Sequence, residues 1–186
     1  MKKSFYLLLF FAAAVILFVA CNDDADEPKN VTVTLGAQEN GNIGGFYSVA
    51  GNKVYTQDQA YQNQSAIDIF CFYEESTGNN IALASPGTGI TGIFTGESSV
   101  ENWTTTDTTF FCTTTLTPEQ FDAMTTSDEL IQTSFDSENA RKKAKDVQTD
   151  AVYSIKIQSG EYGLLKITSV TQGTDGSVSF ELKMKK

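Results

Sequence analysis

Residues 151–186 read AVYSIKIQSGEYGLLKITSVTQGTDGSVSFELKMKK, and this stretch decides the fold class. In its last part Val178, Phe180, Leu182 and Met184 alternate with Ser179, Glu181 and Lys183, the period of a strand with one face on a core. Before it, "AVYSIKI" (151–157) and "YGLLKITSV" (162–170) are rich in the β-branched and aromatic residues that suit a pleated surface. "QSGE" (158–161) joins the first strand to the second, and "QGTDG" (172–176), with Asp-Gly turn chemistry, joins the second to the third. Links this short connect antiparallel strands, so the C-terminal third is expected to be a meander.

Working back toward the N-terminus, the same signals recur. "VTVTLGA" (31–37) alternates Val31, Val33 and Leu35 with threonines, and "GFYSVAGNKVYT" (45–56) places a Gly-Asn turn inside a hairpin from Phe46 to Tyr55. "AIDIFCFYEE" (66–75) sets Ile67, Ile69, Cys71 and Tyr73 on one face and Asp68, Phe70, Phe72 and Glu74 on the other. Apolar on both faces at its centre, it reads as an interior strand. "NIALASP" (80–86) and "DTTFFCTT" (107–114) are further strands, the first ended by Pro86. One helical region interrupts them. Thr117-Pro118-Glu119-Gln120 is a capping box with proline at the first helical position, and Thr126-Ser127-Asp128-Glu129 repeats the box before Leu130 and Ile131. The polar run "DSENARKKAKD" (136–146) extends the expected helical region to about Val147. The expectation is an all-β, mostly antiparallel fold, a β-sandwich or barrel-like core with a short helical insertion around 117–147.

Composition removes whole classes of chemistry. The chain has no histidine. Ser-His and Cys-His nucleophile pairs, His-containing zinc sites and bis-His haem ligation are therefore absent, and no cofactor or metal is expected. A formal net charge of −10 argues against nucleic acid as a partner. "GTGITG" (87–92) spells G-x-G-x-x-G, but the "IFTGESSVENW" that follows has no helical period, so a flexible loop is expected instead of a dinucleotide site. Asp68, set among apolar residues, is the acid whose pKa burial would raise; a strand aspartate satisfied by a neighbouring loop amide or by an Arg or Lys is the plainer reading. The basic cluster Arg141-Lys142-Lys143-Ala144-Lys145 reads as a solvated helix face. Trp103, in a threonine-rich setting, either stacks on a sugar ring or planar ligand, with Tyr61 adding to the platform, or packs beneath a loop. Cys71 and Cys112 either pair in an oxidising compartment or stay as two buried thiols.

The N-terminus supplies an address. Met1-Lys2-Lys3 precedes an apolar run from Phe5 to Ala20, and Cys21 stands before Asp23, Asp24, Asp26 and Glu27. A charged start, an apolar run too short for a comfortable span and a small residue at its end are the parts of a cleaved signal. Phe18-Val19-Ala20-Cys21 resembles the lipobox of bacterial lipoproteins, with Phe where Leu is usual. That resemblance implies removal of residues 1–20, diacylation and N-acylation of Cys21, an acidic tether over 21–30 and a single β-rich domain over 31–186. Loss of Lys2 and Lys3 would take the formal charge from −10 to −12. The acids after Cys21 are similar to the surface-export signal of Bacteroidetes lipoproteins. They imply a lipid-anchored protein of the outer membrane, facing the cell surface, with the periplasmic face as the alternative.

"AVYSIKIQSGEYGLLKITSV" with "GSVSFELK", and "FYSVAGNKVYTQDQA" before "AIDIFCFY", resemble the small β-rich lipoproteins of Bacteroidetes, and more remotely the HmuY-like lipoproteins that capture haem. Haem binding there uses His or Met, whereas this chain offers only Met124 and Met184 after the signal. The expected function is a membrane-anchored, non-enzymatic protein that binds a glycan or other small ligand. A structural or adhesion subunit with a protein partner is the alternative, and haem capture a further one.

Overall fold

The computed structural model describes residues 30–75 and 78–186. The signal run, Cys21 and most of the acidic tether lie outside them. Two five-stranded antiparallel sheets carry the fold, and neither closes into a barrel. In the first, β1 (Val31–Gly36) pairs with β10 (Ser177–Met184), followed by β9 (Tyr162–Thr171), β8 (Val152–Lys156) and β6 (Phe110–Thr113). In the second, β3 (Lys53–Tyr55) pairs with β2 (Phe46–Ser48), followed by β4 (Ile69–Glu74), β5 (Asn80–Ala84) and β7 (Lys143–Ala144).

The alternation that defines the C-terminal meander fixes its register. Val178, Phe180 and Leu182 of β10 turn inward and face Leu35, Val33 and Val31 of β1. They meet Tyr47, Ile69, Cys71, Ile81 and Leu83 of the second sheet, and this layer is the main core. A one-residue slip would exchange these apolar side chains for Ser179, Glu181 and Lys183, so burial holds the register.

Both sheets also carry apolar side chains on their outer faces. On β4 and β5 these are Phe70, Phe72, Ala82 and Ala84, covered by Phe94, Val100 and Trp103 from the connection between β5 and β6. On the first sheet Val152 and Leu164 lie under Phe121, Met124 and Ile131 of the helical segment. That segment holds α2 (Pro118–Ala123) and α3 (Leu130–Thr133), and α1 (Gln57–Tyr61) follows β3. The Thr117/Gln120 capping box forms reciprocally. The second box does not, because Glu129 at the start of α3 is itself helical and makes no side-chain cap, while Asp128 accepts from the Leu130 N–H at 2.9 Å.

The helical expectation fails after Thr133. Residues 141–145 run extended: Arg141 bridges to Phe111 of β6, with N···O distances of 2.7 and 2.8 Å, and β7 pairs with Leu83 and Ala84 of β5. Arg, Lys and Ala are good helix formers, but two sheet edges offer this backbone partners and the local preference gives way. The basic run is therefore a seam between the sheets, with Ala144 in the core.

Candidate functional site

Thr56 begins α1 with a capping box: its backbone N–H donates to Gln59 Oε1 at 3.1 Å, and its hydroxyl accepts from the Gln59 N–H. The short helix presents Gln57 and Asp58 toward the loop 95–98. Gln57 Nε2 donates to Thr95 O at 2.8 Å and to Ser98 Oγ at 3.2 Å, while Ser98 Oγ donates to Asp58 Oδ1 at 2.6 Å. Between helix and loop lies an open hollow of about 710 Å³, lined by Thr56, Gln57, Asp58, Tyr61, Gln62 and residues 95–98. Tyr61 is half-buried, packed against the apolar cluster of Phe46, Phe70 and Trp103 on the outer face of the second sheet and bordering the hollow.

Trp103 is 8% exposed. Its ring packs on Phe46 with centroids 5.6 Å apart, and the indole N–H donates to Ser98 O at 3.1 Å. Of its two expected fates, packing beneath a loop is the one observed, although the residue also lines a small hollow of about 240 Å³ with Pro86, Ile90 and Glu101. It nevertheless bears on the hollow, because Ser98 is part of the wall. Trp103 and Tyr61 thus contact the same aromatic cluster, one as the anchor of a wall and the other as its surface. The wall residues Gln57, Asp58 and Ser98 escape a reading by strand and helix periods. The Thr56–Gln59 box is the signal in the sequence that marks where Gln57 and Asp58 stand; nothing local marks Ser98.

Asp68 is buried between the β2–β3 hairpin and β4. Its Oδ2 accepts from the Val49 N–H at 2.8 Å, and its own N–H donates to Tyr47 O at 3.0 Å. Burial pushes its carboxyl up to about 6; the Val49 hydrogen bond pulls it back, and the charges of Asp107 and Glu161 add to the rise. Tyr47 is raised to about 12 by burial and by the Asp68 charge. A satisfied loop amide accounts for this aspartate.

Cys71 and Cys112 are free, buried thiols. Cys71 faces the core between the sheets, while Cys112 Sγ lies against Thr113 O at 3.4 Å and is not part of that core, so of the two readings it is the pair of separate buried thiols that the structure has. Burial pushes the Cys71 thiol well up. The glycine run forms a short turn at Pro86–Thr88, with Gly89 and Gly92 left-handed and no helix behind them, so it lacks the amide cradle a pyrophosphate requires. Met124 is buried under α2, and Met184 packs against the main core. Among the described residues no group of three or more His, Cys, Asp or Glu could hold a metal ion, and no helix is long and apolar enough to cross a membrane.

No family model matches the sequence, and no curated protein matches it significantly. The fold resembles the crystal structure of a DUF4466 family protein from Parabacteroides merdae, with a TM-score of 0.55 and 16% sequence identity. That likeness covers 85% of this chain and 52% of the other, so this chain spans about half the length of its structural neighbour. At such identity it speaks for the fold alone. It places a comparable sandwich in a Bacteroidetes protein and lends nothing to the expected HmuY-like similarity.

Proposed function

We propose that the protein is a lipid-anchored, surface-exposed binding protein that is not an enzyme and holds a glycan or similar polar small ligand in the hollow beside Tyr61. One observation carries the reading: hydroxyl, amide and carboxylate groups of Thr56, Gln57, Asp58, Gln62 and Ser98 surround an aromatic side chain in an open recess. Sugar hydroxyls take such groups as partners, and an aromatic ring accepts the apolar face of a pyranose. The lipobox-like Cys21 supports the anchor, and the absence of histidine supports binding over catalysis. A protein partner is the second reading, favoured by the edge position of β1, which among the described residues pairs with β10 alone.

The test is a glycan array probed with the detergent-solubilised protein. Binding that survives Tyr61→Phe and is lost in Tyr61→Ala is expected; no binding to any glycan ends the sugar reading. Incorporation of labelled palmitate, abolished by Cys21→Ala, checks the anchor separately.

A further inference from the structure

The seam that joins the two sheets carries four of the chain's 13 basic side chains within five residues, in a protein of net charge −10. Its course leaves a groove of about 610 Å³ at the mouth of the sandwich. The floor is formed by Phe111, Ala144 and Tyr153, core residues that reach this edge. On the rim stand Arg141, Lys142 and Lys145, all exposed.

The partners of these cations are unequal. Lys143 is neutralised by Glu74 at 2.7 Å. Lys142 Nζ donates to Gly87 O at 3.0 Å, and the Arg141 guanidinium donates to the carbonyl oxygens of Glu138 and Ala140 at 3.2 and 2.8 Å. None of those acceptors is a carboxylate. Lys145 makes no hydrogen bond or ion pair among the described residues. Of the acids on either side, Asp136 accepts from Asn139 and from the Glu138 N–H, Asp146 accepts from Gln148, and the Glu138 carboxylate forms no salt bridge with these cations among the described residues; Tyr153 is raised by burial and by the Asp146 charge, so one acid also bears on the groove. Three cations without a carboxylate partner among the described residues therefore overhang a largely apolar floor, the arrangement that concentrates an anion.

We propose that this groove binds a small organic anion, its carboxylate or sulfate group held by Arg141 and Lys145 and its apolar body laid on Phe111 and Tyr153. Arg141 offers the planar fork that suits such oxyanions, and Lys145 a point charge beside it. The groove shares no residue with the hollow at Tyr61, so the inference stands apart from the glycan reading.

The test is calorimetric titration of the full-length lipoprotein, held in zwitterionic-lipid nanodiscs, with benzoate, benzenesulfonate and the neutral benzamide. Either or both anions are expected to bind and benzamide to bind at least tenfold more weakly, as loss of charge-assisted hydrogen bonds predicts. Which anion prevails separates a carboxylate site from a sulfate site. The exposed double substitution Arg141→Gln with Lys145→Gln is expected to weaken binding about tenfold, whereas Tyr61→Ala leaves it unchanged. Raising the sodium chloride concentration, which needs no variant, is expected to weaken binding by the wild-type protein. Benzamide binding as tightly as the anions, affinity untouched by salt, unchanged affinity in a folded double variant, or no binding of either anion would overturn the proposal.

Discussion

Lys183 Nζ donates to the carbonyl oxygen of Met124 at 2.6 Å, and the same ammonium reaches Phe121 O at 2.5 Å and Asp122 O at 3.4 Å. A fully buried lysine on the outer face of β10 thus closes the end of α2, where the helix leaves carbonyls without partners of their own. It also lies 4.5 Å from the centroid of the Phe121 ring. Burial pulls the Lys183 pKa down, although the charges of Asp122 and Glu181 oppose that. Lys183→Met keeps the length and removes the donor, so these carbonyls lose their partner beneath a helix. A loss of about 2–4 kcal/mol is expected in urea denaturation. A loss under about 0.5 kcal/mol, the range of an ordinary surface change, would show that the ammonium does not hold the helical cover.

Asp68 gives a pH dependence whose sign follows from linkage. Its folded-state pKa, about 6, lies above the ordinary carboxylate value of 3.8, so the folded protein keeps this proton longer than the unfolded chain. Its contribution to stability is present at low pH and is lost as pH rises from about 4 through 6. Asp68→Asn can keep the acceptor for the Val49 N–H and carries no charge. The variant is expected to be more stable at pH 7.5 by up to about 3 kcal/mol, with the gain vanishing below about pH 4. Denaturant midpoints for both proteins across that range are the check; parallel profiles would contradict it.

The single tryptophan makes the cover over the second sheet observable. Trp103, packed against Phe46 and bonded to Ser98 O, is expected to emit blue-shifted fluorescence that resists quenching by acrylamide until unfolding. Trp103→Ala is expected to cost about 3–5 kcal/mol and to weaken any ligand held in the Tyr61 hollow. Trp103→Phe, which loses the hydrogen bond but keeps most of the ring contact, is expected to cost about 1–2 kcal/mol. Red-shifted, freely quenched emission from the native protein would contradict this placement.

Both buried cysteines are expected to be silent until the protein unfolds. In a Cys21→Ala background an aromatic disulfide reagent should find no reactive thiol in the native state and two in denaturant. Rapid reaction of the native protein, or no thiol after unfolding, would contradict the buried, unpaired state.

Strand periods carried most of the fold in legible form. The three C-terminal segments appear as Val152–Lys156, Tyr162–Thr171 and Ser177–Met184, and "AIDIFCFYEE" supplies an interior strand with Phe70 and Phe72 opposite Ile69 and Cys71. The Thr117 box was equally legible because its two hydrogen bonds are local. Arg141–Lys145 was not. Its helical composition is a local signal, whereas its strand conformation depends on Phe111 and Leu83, which are 30 and 61 positions away from their partners Arg141 and Ala144. Trp103 shows a second kind of opacity. A loop residue that anchors a cover belongs to no period, so its polar, threonine-rich setting left ligand stacking and packing beneath a loop both open, and only the fold shows the packing. The Tyr61 hollow is opaque for a related reason, since Ser98 meets Asp58 only after the connection between β5 and β6 has folded back over the sheet.

The Phe111–Arg141 bridge and the Lys143–Ala144 pairing place one chain segment in both sheets within four residues. The Arg141 amide proton, held by Phe111 O, can exchange with solvent only when β6 gives up this bridge. Opening of either layer is thereby transmitted through a covalent staple of backbone, and the sandwich behaves at this side as one cooperative unit instead of two halves that breathe independently.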